Sequence, residues 1–306
     1  MLVSTGVSVH CLDNLSTGLE KNIRHLLPSH NLTFERSDVA TPKQFSGKYD
    51  LILHFASRVS PEDYQQHQIE TLAANSLGTQ NMLELARRSD AVFVYASSSE
   101  VYGDAEVIPT PESYWGRVNP IGPRSCYDEG KRYGEALCTA YKRTYNLDSR
   151  IVRIFNTYGP RIRADGTYAR AIPRFVIQAL KADSMTVFGD GTQTRSFCYI
   201  TDAAAAIIKV SSSRAAKGEV FNIGNPEEIA IVDVAQKIKQ ITGSNSQIIH
   251  EPLPADDPKR RCPNIEKARR MLCWEPRVSL DEGLTSTVSW FKAELVQRDI
   301  SQDGRS

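Results

Sequence analysis

A phenol and an ammonium stand four residues apart in the stretch Asn119-Pro-Ile-Gly-Pro-Arg-Ser-Cys-Tyr127-Asp-Glu-Gly-Lys131. At a helix start that spacing puts Tyr127 and Lys131 on one face. A free tyrosine hydroxyl titrates near 10, and a cation beside it favours the phenolate, so Tyr127 is expected to accept an alcohol proton near neutral pH while hydride leaves the same carbon. Alone, Tyr-x-x-x-Lys is a common accident of a solvated helix face. Its weight comes from Ala96-Ser-Ser-Ser-Glu100-Val-Tyr102-Gly103 upstream, which follows the apolar run Ala91 to Tyr95. That run reads as a buried parallel strand, and Ser98, Ser99 and Glu100 then sit at a strand end, where open α/β sheets bind ligands.

The elements that must position these groups alternate strand and helix. Gly6 to Asn14 reads as a strand ending in an acid, followed by the turn Leu15-Ser16-Thr17-Gly18. In a dinucleotide-binding unit such an acid bonds the adenosine ribose, about 20 residues after a Gly-x-Gly-x-x-Gly loop. Only twelve residues precede Asp13. The first strand, glycine loop and first helix are therefore expected to be missing, with an altered sheet or a weakened dinucleotide site as the result. Leu32 to Val39 reads as strand then turn, and Asp50 to Ser57 as another apolar strand. From Tyr64 to Arg88 the residues Ile69, Leu72, Ala73 and Leu77 recur at helical spacing, predicting one long helix that buries this stripe. Arg150 to Asn156 is a further strand. The pattern predicts an α/β chain with a Rossmann-like parallel sheet, N-terminally incomplete, and a smaller α+β substrate lobe. Residues 1–160, with 196–223 returning, are assigned to the dinucleotide-binding lobe, and 161–195 with 224–297 to the substrate lobe. The composition of 298–306 predicts a disordered tail.

The net charge of +1 on 306 residues, with no basic block interleaved with aromatics, argues against a nucleic-acid partner. Six cysteines (Cys11, Cys126, Cys138, Cys198, Cys262 and Cys273) lack C-x-x-C spacing and read as reduced thiols of a cytoplasmic protein. The six histidines show no metal-ligand spacing, and no apolar run is long enough to span a bilayer.

The strand-Ser-Ser-Ser and Tyr-x-x-x-Lys motifs together resemble the extended short-chain dehydrogenase/reductase superfamily, which modifies nucleotide sugars. Within it, Tyr114-Trp115-Gly116 through Pro120 to Arg132 resembles the UDP-glucuronate decarboxylases, and the likeness runs from about Val9 to Leu295. The resemblance implies NAD, with Asp13, Asn14, Ser16, Thr17 and Gly18 at the adenosine ribose, Asp38 and Val39 at the adenine, and Phe55 and Ala56 under the cofactor. It implies that Ser98 bonds the C4 oxygen, that Tyr127 is the base, and that Lys131 holds the nicotinamide ribose and lowers the Tyr127 pKa. Glu100, with Ser99 beside it, is placed near C5 and the substrate carboxylate. Asn156 and Arg161 are placed at the entrance to the sugar-nucleotide site, and Arg170, Arg195 and Arg261 on the nucleotide or sugar, Arg261 also steering the C5 proton or binding the carboxylate. Pro173, Arg174 and Asn264 depart from the decarboxylase pattern. A homodimer through helices near 64–88 and 125–146 is also implied. A UDP-sugar 4-epimerase, and a pseudoenzyme that binds a sugar nucleotide without holding NAD, remain alternatives, whereas Ser99 counts against a dehydratase, which needs Asp there.

Overall fold

Branched and aromatic residues build the parallel strands, and amphipathic segments cover them. The computed structural model describes residues 1–165, 170–254 and 257–303, with side chains as far as residue 297. In chain order its first elements are β1 (Val9–Asp13), β2 (Leu32–Arg36), β3 (Leu51–His54), α1 (Pro61–Gln66), α2 (Gln68–Ala73), α3 (Thr79–Ser89), β4 (Val92–Ser98), α4 (Ser125–Tyr145), β5 (Ser149–Ile154) and β6 (Thr157–Tyr158). The remainder comprises α5 (Ala171–Leu180), β7 (Met185–Phe188), β8 (Thr194–Ser196), β9 (Cys198–Tyr199), α6 (Ile200–Ser212), β10 (Val220–Ile223), β11 (Glu228–Ala230), α7 (Ile231–Thr242), β12 (Ile248–Glu251), β13 (Arg260–Arg261), α8 (Glu266–Leu272) and α9 (Leu280–Asp303).

The main sheet is parallel throughout, in the order β10-β5-β4-β3. His54 pairs with Tyr95 and Ser98 with Ile154, so the carboxyl ends of the strands form one edge. Both faces are covered, which is why Phe93, Val94 and Tyr95 are all buried in succession. On one side Phe93 and Tyr95 meet Met82, Leu83 and Ala86 of α3 and Cys138 of α4. On the other, Val94 and Val152 meet Ala203 and Ala206 of α6.

Strands β1 and β2 pair with each other, and among the described residues no ladder joins β1 to β3. Side chains make the link instead. The His10 Nδ1 and the Tyr49 hydroxyl are 2.8 Å apart, and Asn81 donates to the Val39 carbonyl at 2.9 Å. β1 and β2 thus form a two-stranded piece beside the four-stranded main sheet.

The segment from Pro61 to Ser89 is not one helix burying Ile69, Leu72 and Leu77. It is divided, with a π-helical turn at Ala74–Gly78 between α2 and α3. The three apolar side chains are 76%, 38% and 54% exposed. The inward face carries Thr71, Asn75 and Thr79, followed by Met82, Leu83 and Ala86. Polar groups win that face because partners are waiting there: Asn75 donates to the Ser57 hydroxyl and the Thr71 carbonyl, and Thr79 meets the His54 imidazole at 3.1 Å.

In the smaller lobe α5, α7 and α9 pack around Phe175, Val176, Val234, Ile238, Leu284 and Val288. Helix α8 departs from its expected place there. Its Ala268 and Leu272 join Phe221 and Ile223 of β10 in the core of the main sheet. Helix α9 runs to Asp303, into the stretch whose composition predicted disorder, and residues 304–306 lie outside the described ones. Among the described residues no helix is long and apolar enough to cross a membrane.

Candidate active site

Two chain reversals bring the chemistry together. After Ser98 the chain leaves β4 into a tight turn, in which the Ser98 hydroxyl accepts from the Glu100 amide at 3.3 Å. The turn closes at Gly103, whose φ is +60° and where a Cβ would lie 1.9 Å from the Arg117 carbonyl oxygen, so only glycine fits. Pro120 and Pro123 keep the following loop out of a helix until Arg124, and α4 then begins. Gly130 and Gly134 let α4 approach closely: a Cβ on Gly134 would lie 2.2 Å from the Tyr95 hydroxyl.

Tyr127 and Lys131 are both buried on the inner face of α4. The Lys131 ammonium donates to the Ala96 carbonyl at 2.9 Å and lies 5.6 Å from the Tyr127 ring centre. Burial pushes the Lys131 pKa down to about 7, against the pull of Glu135. Burial also pushes the Tyr127 pKa up to about 12, with the Arg170 guanidinium and the Ser98 hydroxyl acting in the opposite direction. In the protein alone desolvation outweighs the groups that favour the phenolate, of which Arg170 and then Ser98 pull hardest.

Glu100 is held at both oxygens. Arg261 donates through Nη1 to Oε1 at 2.6 Å and through Nη2 to Oε2 at 2.8 Å, while Arg124 donates to Oε2 at 2.6 Å. Burial disfavours the carboxylate, but the charges of Arg261 and Arg124 outweigh it and bring the pKa down to about 2. Asp128, one turn into α4, shows the converse: burial and the Glu100 charge raise it to about 7, against the pull of Arg124 and Arg261.

These residues line a cavity of about 520 Å³ at the carboxyl edge of the main sheet, a size suited to one small ligand. Phe55, Ser98, Ser99, Glu100, Tyr127, Lys131, Asn156, Arg170, Arg195 and Arg261 all face it. Arg161 does not: its guanidinium donates to the Asn22 carbonyl at 3.2 Å and approaches His25. A second cluster forms at the end of β1. Asp13 accepts from the Leu15 amide at 2.7 Å, Asn14 accepts from the Ser16 amide and donates to Asp38 at 2.8 Å, and Val39 is buried. Gly18 backs onto the Asp13 carboxylate so closely that a Cβ would lie 2.8 Å from it. Thr17 gives its carbonyl to Arg163, and Ala56 is half-buried beyond β3.

Together these two clusters suit the two ends of a dinucleotide: an acid at a strand end for a ribose, and a buried Tyr-Lys pair for the nicotinamide half. The sequence holds no Gly-x-Gly-x-x-Gly to cradle the pyrophosphate between them.

Three cavity residues, Tyr64, Arg124 and Asp257, are not among the groups expected from sequence, and neither is Asp128 behind them. Tyr64 stacks on Tyr127 with ring centres 5.1 Å apart and planes at 5°, and Arg124, Asp128 and Asp257 surround or continue the Glu100 clamp. The available signal was the i, i+4 pair Arg124 and Asp128 flanking Tyr127. Tyr64 and Asp257 are brought in by tertiary packing.

Comparison with known proteins agrees with this geometry. The model of the NAD dependent epimerase/dehydratase family matches residues 1–224. UDP-glucuronic acid decarboxylase 1 of Xenopus tropicalis is 44% identical over 301 residues, covering 98% of this chain and 70% of the relative. UDP-glucuronic acid decarboxylase 1 of Arabidopsis thaliana is 42% identical over 298 residues, covering 97% of this chain and 67% of that one. Among solved structures, UDP-glucose 4-epimerase of Thermotoga maritima superposes with a TM-score of 0.86 at 27% identity, covering 96% of this chain and 94% of its own. UDP-glucuronic acid 4-epimerase of Bacillus cereus, in complex with UDP-glucuronic acid and NAD, gives 0.84 at 27% identity, covering 96% and 93%. A parallel sheet with a Ser-Tyr-Lys site at its carboxyl edge, a family match over most of the chain and near-complete alignment with these relatives lead to one conclusion: the chain belongs to the NAD dependent epimerase/dehydratase family and resembles its UDP-glucuronic acid decarboxylases.

Proposed function

We propose that the chain is an NAD-using decarboxylase that converts UDP-glucuronate to UDP-xylose through a 4-keto sugar. The observation that carries this reading is the Glu100 carboxylate clamped by Arg261 and Arg124 in the same cavity as Ser98, Tyr127 and Lys131. An alcohol site alone serves many reactions, whereas added guanidiniums suit a substrate that also bears a carboxylate.

Tyr127 takes the C4 hydroxyl proton, and Ser98 hydrogen-bonds the same oxygen. When bound, NAD would supply reversible hydride acceptance at C4, so that no net oxidation would result. The C4 ketone is then β to the carboxylate and accepts the electron pair of the breaking carbon–carbon bond as carbon dioxide leaves, with Ser98 and Tyr127 stabilising the oxyanion. Arg261 orients the departing carboxylate, and C5, having lost its bond to the carboxylate carbon, takes a proton from water in the cavity. Tyr127 returns its proton to the C4 oxygen in the closing reduction. Asp13 and Asn14 would hold the adenosine ribose, with Asp38 and Val39 at the adenine, while Lys131 and Tyr127 hold the nicotinamide ribose. Arg170 and Arg195 serve the UDP diphosphate.

The test is mass spectrometry of UDP-glucuronate after incubation with the chain and added NAD. Loss of one carbon dioxide per molecule supports the reading. An unchanged mass with altered C4 stereochemistry would make the protein a 4-epimerase, and an untouched substrate that still binds would make it a cofactor-deficient sugar-nucleotide binder.

The exposed Ile69, Leu72 and Leu77, beside the exposed Tyr133 of α4, suit a second copy of the chain and a four-helix interface. Light scattering behind size exclusion decides between monomer and dimer. The six unpaired cysteines suit a cytoplasmic location, which cell fractionation checks.

A further inference from the structure

Arg124 stands immediately ahead of α4, buried, with a carboxylate opposite each of its three nitrogens. Nη2 donates to Glu100 Oε2 at 2.6 Å, Nη1 is 3.7 Å from Asp257 Oδ1, and Nε is 4.0 Å from Asp128 Oδ2. Asp257 is itself held by Arg195 at 2.7 Å. Arg261 would satisfy Glu100 without help, because its fork already reaches both carboxylate oxygens. A second buried guanidinium on the same carboxylate carries a desolvation cost that the first does not require. Its placement must therefore serve something besides the pairing of Glu100. With Nη1 and Nη2 of Arg261 committed to Glu100, its Nε is a buried donor that has no partner among the described residues.

We propose that Arg124 is a positioning residue of the reaction: from the start of the Tyr127 helix it fixes the Glu100 carboxylate, and Glu100 fixes the Arg261 guanidinium so that Nε is left for an acceptor on the sugar. Four guanidiniums, from Arg124, Arg170, Arg195 and Arg261, face the three carboxylates of Glu100, Asp257 and Asp128. With one cation in excess, the cluster has the charge to receive one more anion, which a sugar carboxylate provides and the decarboxylated product does not. Arg124 couples this cluster to the element that carries the base.

The inference rests on the decarboxylase reading, and its test separates the two. Arg124→Gln and Arg124→Lys are made in the full chain, and kcat and KM for UDP-glucuronate are followed against pH with added NAD. Glu100 is faced by Arg124, Asp128 and Tyr127 of α4 and by Tyr64 of α1. Arg170, Arg195 and Arg261 face it from the other lobe. Removal of one of these cations is expected to move the acid limb of kcat up by about one pH unit. In Arg124→Gln kcat falls about tenfold or more with KM little changed, and Arg124→Lys recovers the acid limb but only part of kcat, because it keeps the charge and not the fork.

The acid side of the thermal unfolding curve supplies a readout that needs no turnover, since it moves to higher pH when Glu100 loses a partner. An unshifted acid limb or an unshifted acid stability curve in Arg124→Gln, or wild-type kcat in Arg124→Lys, each overturns the proposal. A wild-type protein without turnover overturns the decarboxylase reading, and the stability curves then decide on Arg124 alone. If Arg124→Gln fails to fold, kcat of Arg124→Lys decides: a partial loss supports the proposal and a wild-type value overturns it.

Discussion

Replacing Asp128 by Asn is expected to stabilise the protein, and to do so increasingly as the pH rises. Asp128 is buried beside Glu100, its Oδ1 has no hydrogen-bond partner among the described residues, and its pKa stands at about 7 against an ordinary 3.8. A raised carboxyl pKa means that the folded state binds a proton that the unfolded chain has already released. Stability attributable to this group is therefore intact below the unfolded value and falls as pH climbs from about 4 to about 7. A shift near three units corresponds to about 4 kcal/mol as an upper limit, at about 1.4 kcal/mol per unit. Titration coupled to Glu100 spreads and reduces the effect, so a gain of about 2 kcal/mol at pH 8 is the reasonable expectation. Asn keeps the shape without the charge. Urea unfolding of wild type and Asp128→Asn at pH 5, 6, 7 and 8 reads the difference directly, and the gap in midpoint must widen with pH. A gap that is constant, or an Asn variant less stable at every pH, would refute the account of Asp128 as a charge forced into a dry site.

Tyr127→Phe keeps the ring stacked on Tyr64 and removes the hydroxyl, so turnover of UDP-glucuronate is expected to drop by about 10² to 10⁴ while ligand affinity by calorimetry changes little. Gly103→Ala forces a side chain into a left-handed position against the Arg117 backbone, and a loss of about 3 kcal/mol in denaturant unfolding should follow. Asp13→Ala removes the acceptor at the end of β1, and titration with NADH fluorescence should show affinity for the reduced cofactor weakened about tenfold. Ile69→Glu puts a charge on the exposed stripe of α2, and light scattering should find the monomer if that stripe faces a second copy.

Short-range chemistry was the readable part of this sequence. The apolar run before Ser97 required a buried strand, the prolines and glycines after Asn119 delayed the helix to Ser125, and four-residue spacing put Tyr127 and Lys131 on one face. What pattern could not reveal was the direction in which each group is pulled once the chain folds. Lys131 and Tyr127 were near enough in sequence to suggest a cation lowering a phenol pKa. Burial acts on both at once, however, and it raises the phenol while lowering the amine, with Arg170 and Ser98 pulling the phenol the other way. The helix stripe failed for a related reason. Periodicity found Ile69, Leu72 and Leu77 but could not tell an inward face from an outward one, because the inward face at Thr71, Asn75 and Thr79 is polar and satisfied by Ser57 and His54 from other elements. The same holds for the clamp on Glu100, whose partners lie 24 and 161 residues away in sequence. Arg124 and Arg261 meet on Glu100 only in the folded chain, where β13 lies beside β8 and the residues after it bond to the backbone of Thr110, so the feature that separates this site from a plain alcohol dehydrogenase site is a product of tertiary structure.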